Sequence, residues 1–293
     1  MQFTALGPLG VIIYGIRYGD YGDTTSMQAD KSGLAIVTGA AGGIGSATAV
    51  QLAAQGWSLI LCDVDSARIE AVASPLRAAG QQVDILAADL ADPAFSSALI
   101  AMLANRPIGA LVHTAGLSPM MGDAARIFAV NYDATVRLVD TVRPRMLGGG
   151  CAVLIASSSG YLMKSPQIDA ALDALTPGQD SSSLLKLVTD SGRAYSLSKR
   201  AVIRLVAREA ATFGAQNARI VSISPGLIDT MMGRAEQTAS PQMAVMLAKT
   251  PLGRYGLAEE IASVAVFLCS SGASFVSGCD IKVDGGMLAA LGF

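Results

Sequence analysis

Leu34-Ala35-Ile36-Val37-Thr38-Gly39-Ala40-Ala41-Gly42-Gly43-Ile44-Gly45 is the stretch from which the rest of the chain can be read. Four apolar residues in a row suit a parallel strand covered on both faces, and the glycines at 39, 43 and 45 let the backbone turn tightly and approach a ligand closely. A helix over Ser46 to Gln55 follows directly. Such a helix points its unpaired N–H groups and the positive end of its dipole into the turn. The turn is therefore a ready seat for a phosphate or pyrophosphate, with the backbone of Gly39, Ala41, Gly43, Ile44 and Gly45 around it.

The Gly-x-x-x-Gly-x-Gly spacing departs from the commoner Gly-x-Gly-x-x-Gly dinucleotide fingerprint. Taken alone, it also describes an ordinary tight loop. Its position narrows the choice, because a second apolar strand, Ser58 to Cys62, follows the helix and ends at Asp63. An acid about 20 residues past the glycines is where a carboxylate accepts hydrogen bonds from an adenosine ribose. The same carboxylate would repel the extra phosphate of NADP, and neither Ala40 nor Ala41 supplies a basic residue to hold it. NAD is therefore the expected cofactor.

Composition sets the bounds. The 293 residues are 52% hydrophobic and only 15% charged, which supports a large covered core and argues against disorder. A net charge of −2 gives no electrostatic footprint for nucleic acid. No run reaches the roughly 18 apolar residues needed to span a bilayer. Cys62, Cys151, Cys269 and Cys279 are widely spaced, and three of them sit in apolar runs. Buried free thiols in a reducing, cytoplasmic compartment are the expectation, with a disulfide or metal site as the alternative. Residues 1–32 look unlike the rest and are read as a poorly ordered extension ahead of a single domain over 33–293, with Met27 as a candidate natural start.

From Asp63 onward helix and strand alternate. Helix Ala67 to Ala79 closes at Gly80; strand Val83 to Ala88 ends at Asp89-Leu90; and Asp92-Pro93 opens the helix Ala94 to Asn105. Strand Ala110 to His113 ends in Thr114-Ala115-Gly116. A long helix from about Asp123 to Met146 leads to the strand Cys151 to Ala156 and the run Ser157-Ser158-Ser159-Gly160. Residues 161–194 interrupt the rhythm with two short helices. Tyr195 then opens a helix that continues to Ala210, and strand Ile220 to Ser224 precedes Pro225-Gly226. The segment Leu227 to Leu252 reads as a mobile connection, and helix Ala258 to Leu268 and strand Ile281 to Asp284 complete the chain. Strict alternation implies an α/β fold: a single doubly wound Rossmann-type domain with a seven-stranded parallel sheet and right-handed crossovers. Ligands then lie beyond the carboxyl ends of the strands.

Tyr195 and Lys199 stand four apart on one helix and so share a face. A neighbouring ammonium favours the phenolate, which makes the pair a plausible acid/base unit for a proton on an alcohol oxygen. Alone, such a pair equally describes a solvated helix surface. The serine at a strand's carboxyl end and the dinucleotide-type turn on the same sheet edge supply the context.

On Thr38 to Gly45, Ala115-Gly116, Asn131, Ser157, Tyr195-Ser196-Leu197-Ser198-Lys199, Pro225 to Thr230 and Asp284-Gly285-Gly286, the sequence resembles the short-chain dehydrogenase/reductase family from Leu34 to Gly286. The resemblance implies an NAD-dependent alcohol dehydrogenase or carbonyl reductase. Tyr195 would be the general acid/base and Ser157 would hold the substrate oxygen. Lys199 would grip the nicotinamide ribose and lower the tyrosine's pKa, and Asn131 would support a relay water. The cofactor would further touch Asp89, Leu90, Ala115, Gly116, Pro225, Gly226 and Ile228, with Asp89 at the adenine and Thr230 at the nicotinamide carboxamide. Ser157 is chosen over Ser158 and Ser159 because the family's serine lies three before a glycine, here Gly160. His113, the only histidine, stands where the family often has asparagine; a backbone-bonded strand-end role is expected of it.

Tyr195 follows Ser157 by 38 positions, a much longer gap than is usual in the family. The insertion looks like that of the bacterial 3α-hydroxysteroid dehydrogenase/carbonyl reductase subgroup, and coniferyl-alcohol dehydrogenases share it. Both imply a small-molecule apolar alcohol or ketone as partner, in a pocket that Met231, Met232, Met243 and Met246 would roof; packing of a lid helix explains those methionines equally well. The insertion would cover a common oligomer surface, so a homo-oligomer is expected, a dimer through the C-terminal helix and strand ahead of a tetramer. A 3-oxoacyl reductase and a non-catalytic NAD-binding module are the alternatives.

Overall fold

Alternate residues of each central strand enter opposite layers, which explains why these strands are apolar throughout. In β1 (Leu34–Thr38), Ile36 packs into one core with Phe95, Leu99, Leu138 and Leu205, whereas Ala35 and Val37 pack into the other with Leu52, Ile69, Ile261 and Ala265. The structure, a computed structural model, describes residues 33–175, 182–188, 190–239 and 242–293. The expected N-terminal extension and parts of the insertion, 176–181 and 189, lie outside the described residues.

The strands that follow are β2 (Ser58–Asp63), β3 (Val83–Ala87), β4 (Ile108–His113), β5 (Met146–Ile155), β6 (Arg219–Pro225), the two-residue β7 (Ile228–Asp229) and β8 (Gly256–Leu257), and β9 (Asp280–Val283). Seven of them form one parallel sheet in the order β3-β2-β1-β4-β5-β6-β9, while β7 and β8 pair separately. The order reverses between β1 and β4, and the crevice outside that reversal is where a ligand is accommodated. The helices α1 (Gly43–Ala54), α2 (Ser66–Ala78), α3 (Ala94–Leu103), α4 (Ala124–Phe128), α5 (Ala134–Val142), α6 (Pro166–Asp173), α7 (Ser182–Leu185), α8 (Ser191–Gly214), α9 (Met231–Ala239), α10 (Gln242–Lys249), α11 (Ala258–Cys269) and α12 (Met287–Ala290) complete the chain. None of the described helices is long and apolar enough to cross a membrane. All four cysteines are free thiols, three of them buried.

Four expectations change. Helix α1 begins at Gly43 rather than Ser46, so the glycines form its first turn. The long helix after Asp123 is broken by a π-helical turn at Ala129–Asp133 and ends at Val142, because Pro144 lies in the 3₁₀ turn that follows and cannot continue the helical ladder. Strand β5 accordingly starts at Met146, five residues earlier than read. The segment after Leu227 is not an unstructured connection: it carries α9 and α10, whose methionines, glutamines and alanines are good helix formers.

The insertion is fastened to the helix that carries Tyr195. Asp169 and Asp173 stand four apart on α6 and face Arg200 and Arg204, four apart on α8. Arg200 holds Asp169 with both guanidinium arms, Nε at 2.7 Å and Nη2 at 2.5 Å, and is only 6% exposed. Arg204 grips Asp173 in the same way but at the surface. Arg208 extends the ladder to the Leu172 and Leu175 carbonyls. Breaking the inner pair leaves Asp169, a carboxylate only 20% exposed, without its partner, so Arg200→Ala is expected to cost about 2 kcal/mol. Arg204→Ala is expected to cost less than about 1 kcal/mol because that pair is solvated. Urea denaturation of both variants checks the contrast; equal losses would contradict it.

Candidate active site

The glycine turn leaves no room for side chains. Gly39 has φ +65°, and a Cβ there would lie 2.6 Å from the Ala115 nitrogen; at Gly45 it would lie 2.1 Å from the Gly39 carbonyl oxygen, and at Gly43 2.8 Å from Thr230 Cγ2. The result is bare backbone opening into the first turn of α1, the cradle that a pyrophosphate requires. Beside it, Asp63 Oδ2 accepts the Ala41 N–H at 2.9 Å, and Oδ1 accepts those of Val64 at 2.8 Å and Asp65 at 3.3 Å. Arg68, on the first turn of α2, donates from Nη2 to the Ala41 carbonyl at 2.8 Å. Cradle and carboxylate together fit a nicotinamide dinucleotide.

The remaining cofactor candidates line the same edge. Asp89 Oδ1 accepts the Ala91 N–H at 2.8 Å, and Oδ2 pairs with Arg126 at 2.6 Å. Burial pushes the Asp89 carboxyl up, but the Arg126 guanidinium and the Ala91 amide outweigh it and hold the group below its ordinary value. Leu90 is buried beside it. Ala115 and Gly116 follow β4, and a Cβ on Gly116 would lie 3.3 Å from both Asn131 Oδ1 and Lys199 Nζ. At the end of β6, buried Pro225 precedes Gly226, which runs so close to Asp284 that a Cβ would lie 2.7 Å from its Cα. Ile228 is buried in β7, and Thr230 Oγ1 accepts the Gly233 N–H at 3.1 Å at the start of α9.

The four polar residues converge from three elements. Asp190 caps α8 by accepting the Arg193 N–H at 2.9 Å, which starts the helix one turn before Tyr195. Ser157 acts on the Tyr195 hydroxyl in favour of the phenolate, and its Oγ accepts from Ser159 Oγ at 3.0 Å and Ser159 N at 3.2 Å. Ser158, by contrast, is buried. Lys199 Nζ donates to the Ile155 carbonyl at 2.9 Å and lies 5.8 Å from the centre of the Tyr195 ring. Asn131 sits in the π-helical turn, a feature frequent at functional sites. Its amide accepts from Leu117 N at 2.7 Å and donates to Leu117 O at 3.0 Å and Ser198 Oγ at 3.2 Å.

Burial pushes the Tyr195 phenol up to about 12, the Glu236 carboxylate pushes it the same way, and Ser157 offsets part of the rise. Burial draws Lys199 itself down to about 8 against the pull of Glu236, which weakens its hold on a proton. The expected backbone role of His113 is overturned, since Nδ1 bonds Thr38 Oγ1 at 2.6 Å and Nε2 bonds Thr135 Oγ1 at 2.7 Å. Sequence reading missed Arg68, Arg126 and Glu236. Arg68 carried a signal, three residues after the helix-capping Asp65.

A chain with this sheet and site belongs to the short-chain dehydrogenase/reductase family. The model of the short chain dehydrogenase family matches residues 33–170, and that of enoyl-(acyl carrier protein) reductase matches 180–288. The chain is 30% identical over 268 residues to the 3-alpha-hydroxysteroid dehydrogenase/carbonyl reductase of Comamonas testosteroni, covering 88% of this chain and 97% of that one. It is 31% identical over 264 residues to the D-threitol dehydrogenase of Mycolicibacterium smegmatis, covering 86% and 92% respectively. Among solved structures, it is similar to a blue fluorescent protein from a metagenomic library in complex with NADPH, at 25% identity and a TM-score of 0.69, covering 87% of this chain and 97% of that one.

Proposed function

We propose that this protein moves a hydride between NAD(H) and a secondary alcohol or ketone, with an apolar hydroxysteroid or carbonyl compound as substrate class. The observation that carries the reading is the meeting of Ser157, Tyr195 and Lys199 beside the bare glycine turn. When bound, the nicotinamide supplies the hydride acceptor in oxidation and the hydride donor in reduction. Everything else falls to the chain. Ser157 Oγ holds the substrate oxygen, and Tyr195 Oη takes the alcohol proton or returns it to the ketone oxygen. Lys199 holds the cofactor ribose, and Asn131 supports a relay water. Asp63 receives the adenosine ribose, Asp89 the adenine and Thr230 the carboxamide.

Met231 and Met232 are exposed at the start of α9 and offer the adaptable apolar surface that the substrate class calls for. Glu236, half-buried on the same helix and acting electrostatically on Tyr195 and Lys199, favours a second reading in which the substrate carries a further hydroxyl donor, as in a polyol. A panel of hydroxysteroids, aromatic alcohols and polyols with NAD and NADP, run on wild type and Tyr195→Phe, tests both. Turnover of the apolar alcohols by wild type alone is the expected result. NADH binding with no turnover of any alcohol would instead mark a binding module.

Glu236 also sets a pH dependence. Its charge favours the neutral phenol of Tyr195 and the protonated ammonium of Lys199. Glu236→Gln is therefore expected to lower both values, so that the acidic limb of the rate of alcohol oxidation moves to lower pH. Initial rates across pH for the two proteins measure the shift, and a move to higher pH would contradict it.

A further inference from the structure

His113 is 2% exposed at the carboxyl end of β4, and both its ring nitrogens are bonded to side chains on other elements. The direction of each bond follows from hydrogen counting. Thr135 Oγ1 donates its only hydrogen to the Asn131 carbonyl at 2.9 Å, so towards His113 it must accept. The His113 proton therefore sits on Nε2. Burial, with the Lys199 charge acting in the same sense, brings the ring down to about 3 and keeps it neutral, so Nδ1 is bare and accepts from Thr38 Oγ1. Every hydrogen in the chain Thr38, His113, Thr135, Asn131 then points the same way, from the end of β1 to the Asn131 carbonyl. Thr38, Thr135 and Asn131 are each at most 1% exposed, so no solvent competes for these bonds.

The far end of this chain is the proposed site. The Asn131 amide fixes both backbone groups of Leu117 and bonds Ser198, one residue before Lys199. Its Oδ1 and Lys199 Nζ crowd the same side of Gly116. We propose that His113 is a positioning residue: as the Nε2–H tautomer it holds Thr135, and through Thr135 the Asn131 turn, in register with Lys199 and Tyr195. The effect on catalysis rests on the dehydrogenase reading above; the positioning itself does not.

Three conservative variants separate this from a purely structural role. A glutamine amide reaches the place of Nε2 and keeps the donor to Thr135, whereas an asparagine amide reaches only that of Nδ1. Thr135→Val removes the hydroxyl and keeps the shape. Thr135→Val and His113→Asn are expected to lose on the order of tenfold to a hundredfold in kcat, the scale of a small misplacement at a reacting centre. KM for the cofactor should stay within about twofold, and His113→Gln should restore most of kcat. Hydrogen exchange of the Leu117 amide, which donates to Asn131 Oδ1, gives a readout without turnover. It should quicken in Thr135→Val and His113→Asn, and remain slow in His113→Gln. Lowered melting temperatures with unchanged kcat and Leu117 exchange would overturn the proposal, as would equal losses in His113→Gln and His113→Asn. If wild type oxidised no alcohol, the dehydrogenase reading would fall while Leu117 exchange still decided the role of His113.

Discussion

Tyr195→Phe should lose turnover by about 10²- to 10⁴-fold, the range that a positioned acid/base contributes, while NADH still binds. The substitution removes one oxygen and keeps the ring that packs beside Lys199. Ser157 retains its bonds from Ser159, so a substrate oxygen can still be held there. The glycine cradle and Asp63 lie on other elements and are untouched. Loss should therefore appear in kcat, with cofactor affinity from fluorescence titration unchanged. The sign of the pH dependence follows from the same residue. Oxidation needs the phenolate, and burial together with Glu236 raises the phenol to about 12, so the oxidation rate should climb through the alkaline range. Reduction needs the phenol, which is fully present at neutral pH, so its rate should not depend on this group there. A Tyr195→Phe enzyme that retained wild-type kcat, or oxidation that slowed steadily from pH 7 to 10, would remove Tyr195 from the proposed role.

The parts of the fold that were legible are those whose signal is local. Leu34–Thr38 is apolar without alternation because both of its faces are covered, and the glycines after it are required by contacts of 2.1 to 2.8 Å that a Cβ would make. Spacing alone exposed the insertion. The charges that fasten it, acids four apart on α6 and arginines four apart on α8, went unread because their pairing across 31 positions is a tertiary fact. Helices α9 and α10 do carry the polar and apolar faces of amphipathic helices, but a run rich in methionine, threonine and glutamine reads by its composition as a connection. With them went Glu236, the carboxylate that most changes the acid/base balance at Tyr195 besides burial. The break at Ala129–Asp133 likewise has no local marker, since its reason lies in what Asn131 holds: Leu117 from one side and Ser198 from the other.

Asp63→Ser should raise the preference for NADP over NAD by about 100-fold in the ratio of kcat/KM values. The shorter serine side chain releases the Ala41 N–H that Asp63 Oδ2 holds at 2.9 Å and leaves that donor to a phosphate oxygen. What disappears is a negative charge where the 2′-phosphate would lie. Two unit charges about 4 Å apart interact by about 4 kcal/mol at an effective dielectric near 20. After solvent screening at this half-open site, roughly 2 to 3 kcal/mol of relief corresponds to about 100-fold. Arg68 then decides how far the switch goes. Its guanidinium is exposed and already reaches the Ala41 carbonyl, so with Asp63 gone it is a cation placed to receive that phosphate. The double variant Asp63→Ser/Arg68→Ala should return most of the gained NADP preference while leaving NAD turnover near that of Asp63→Ser. Repulsion and capture thus separate: the first is what Asp63→Ser changes for both cofactors, the second what Arg68 adds for one. Wild type favouring NADPH over NADH would mean that Arg68 outweighs Asp63 from the start, and the assignment of NAD would fall.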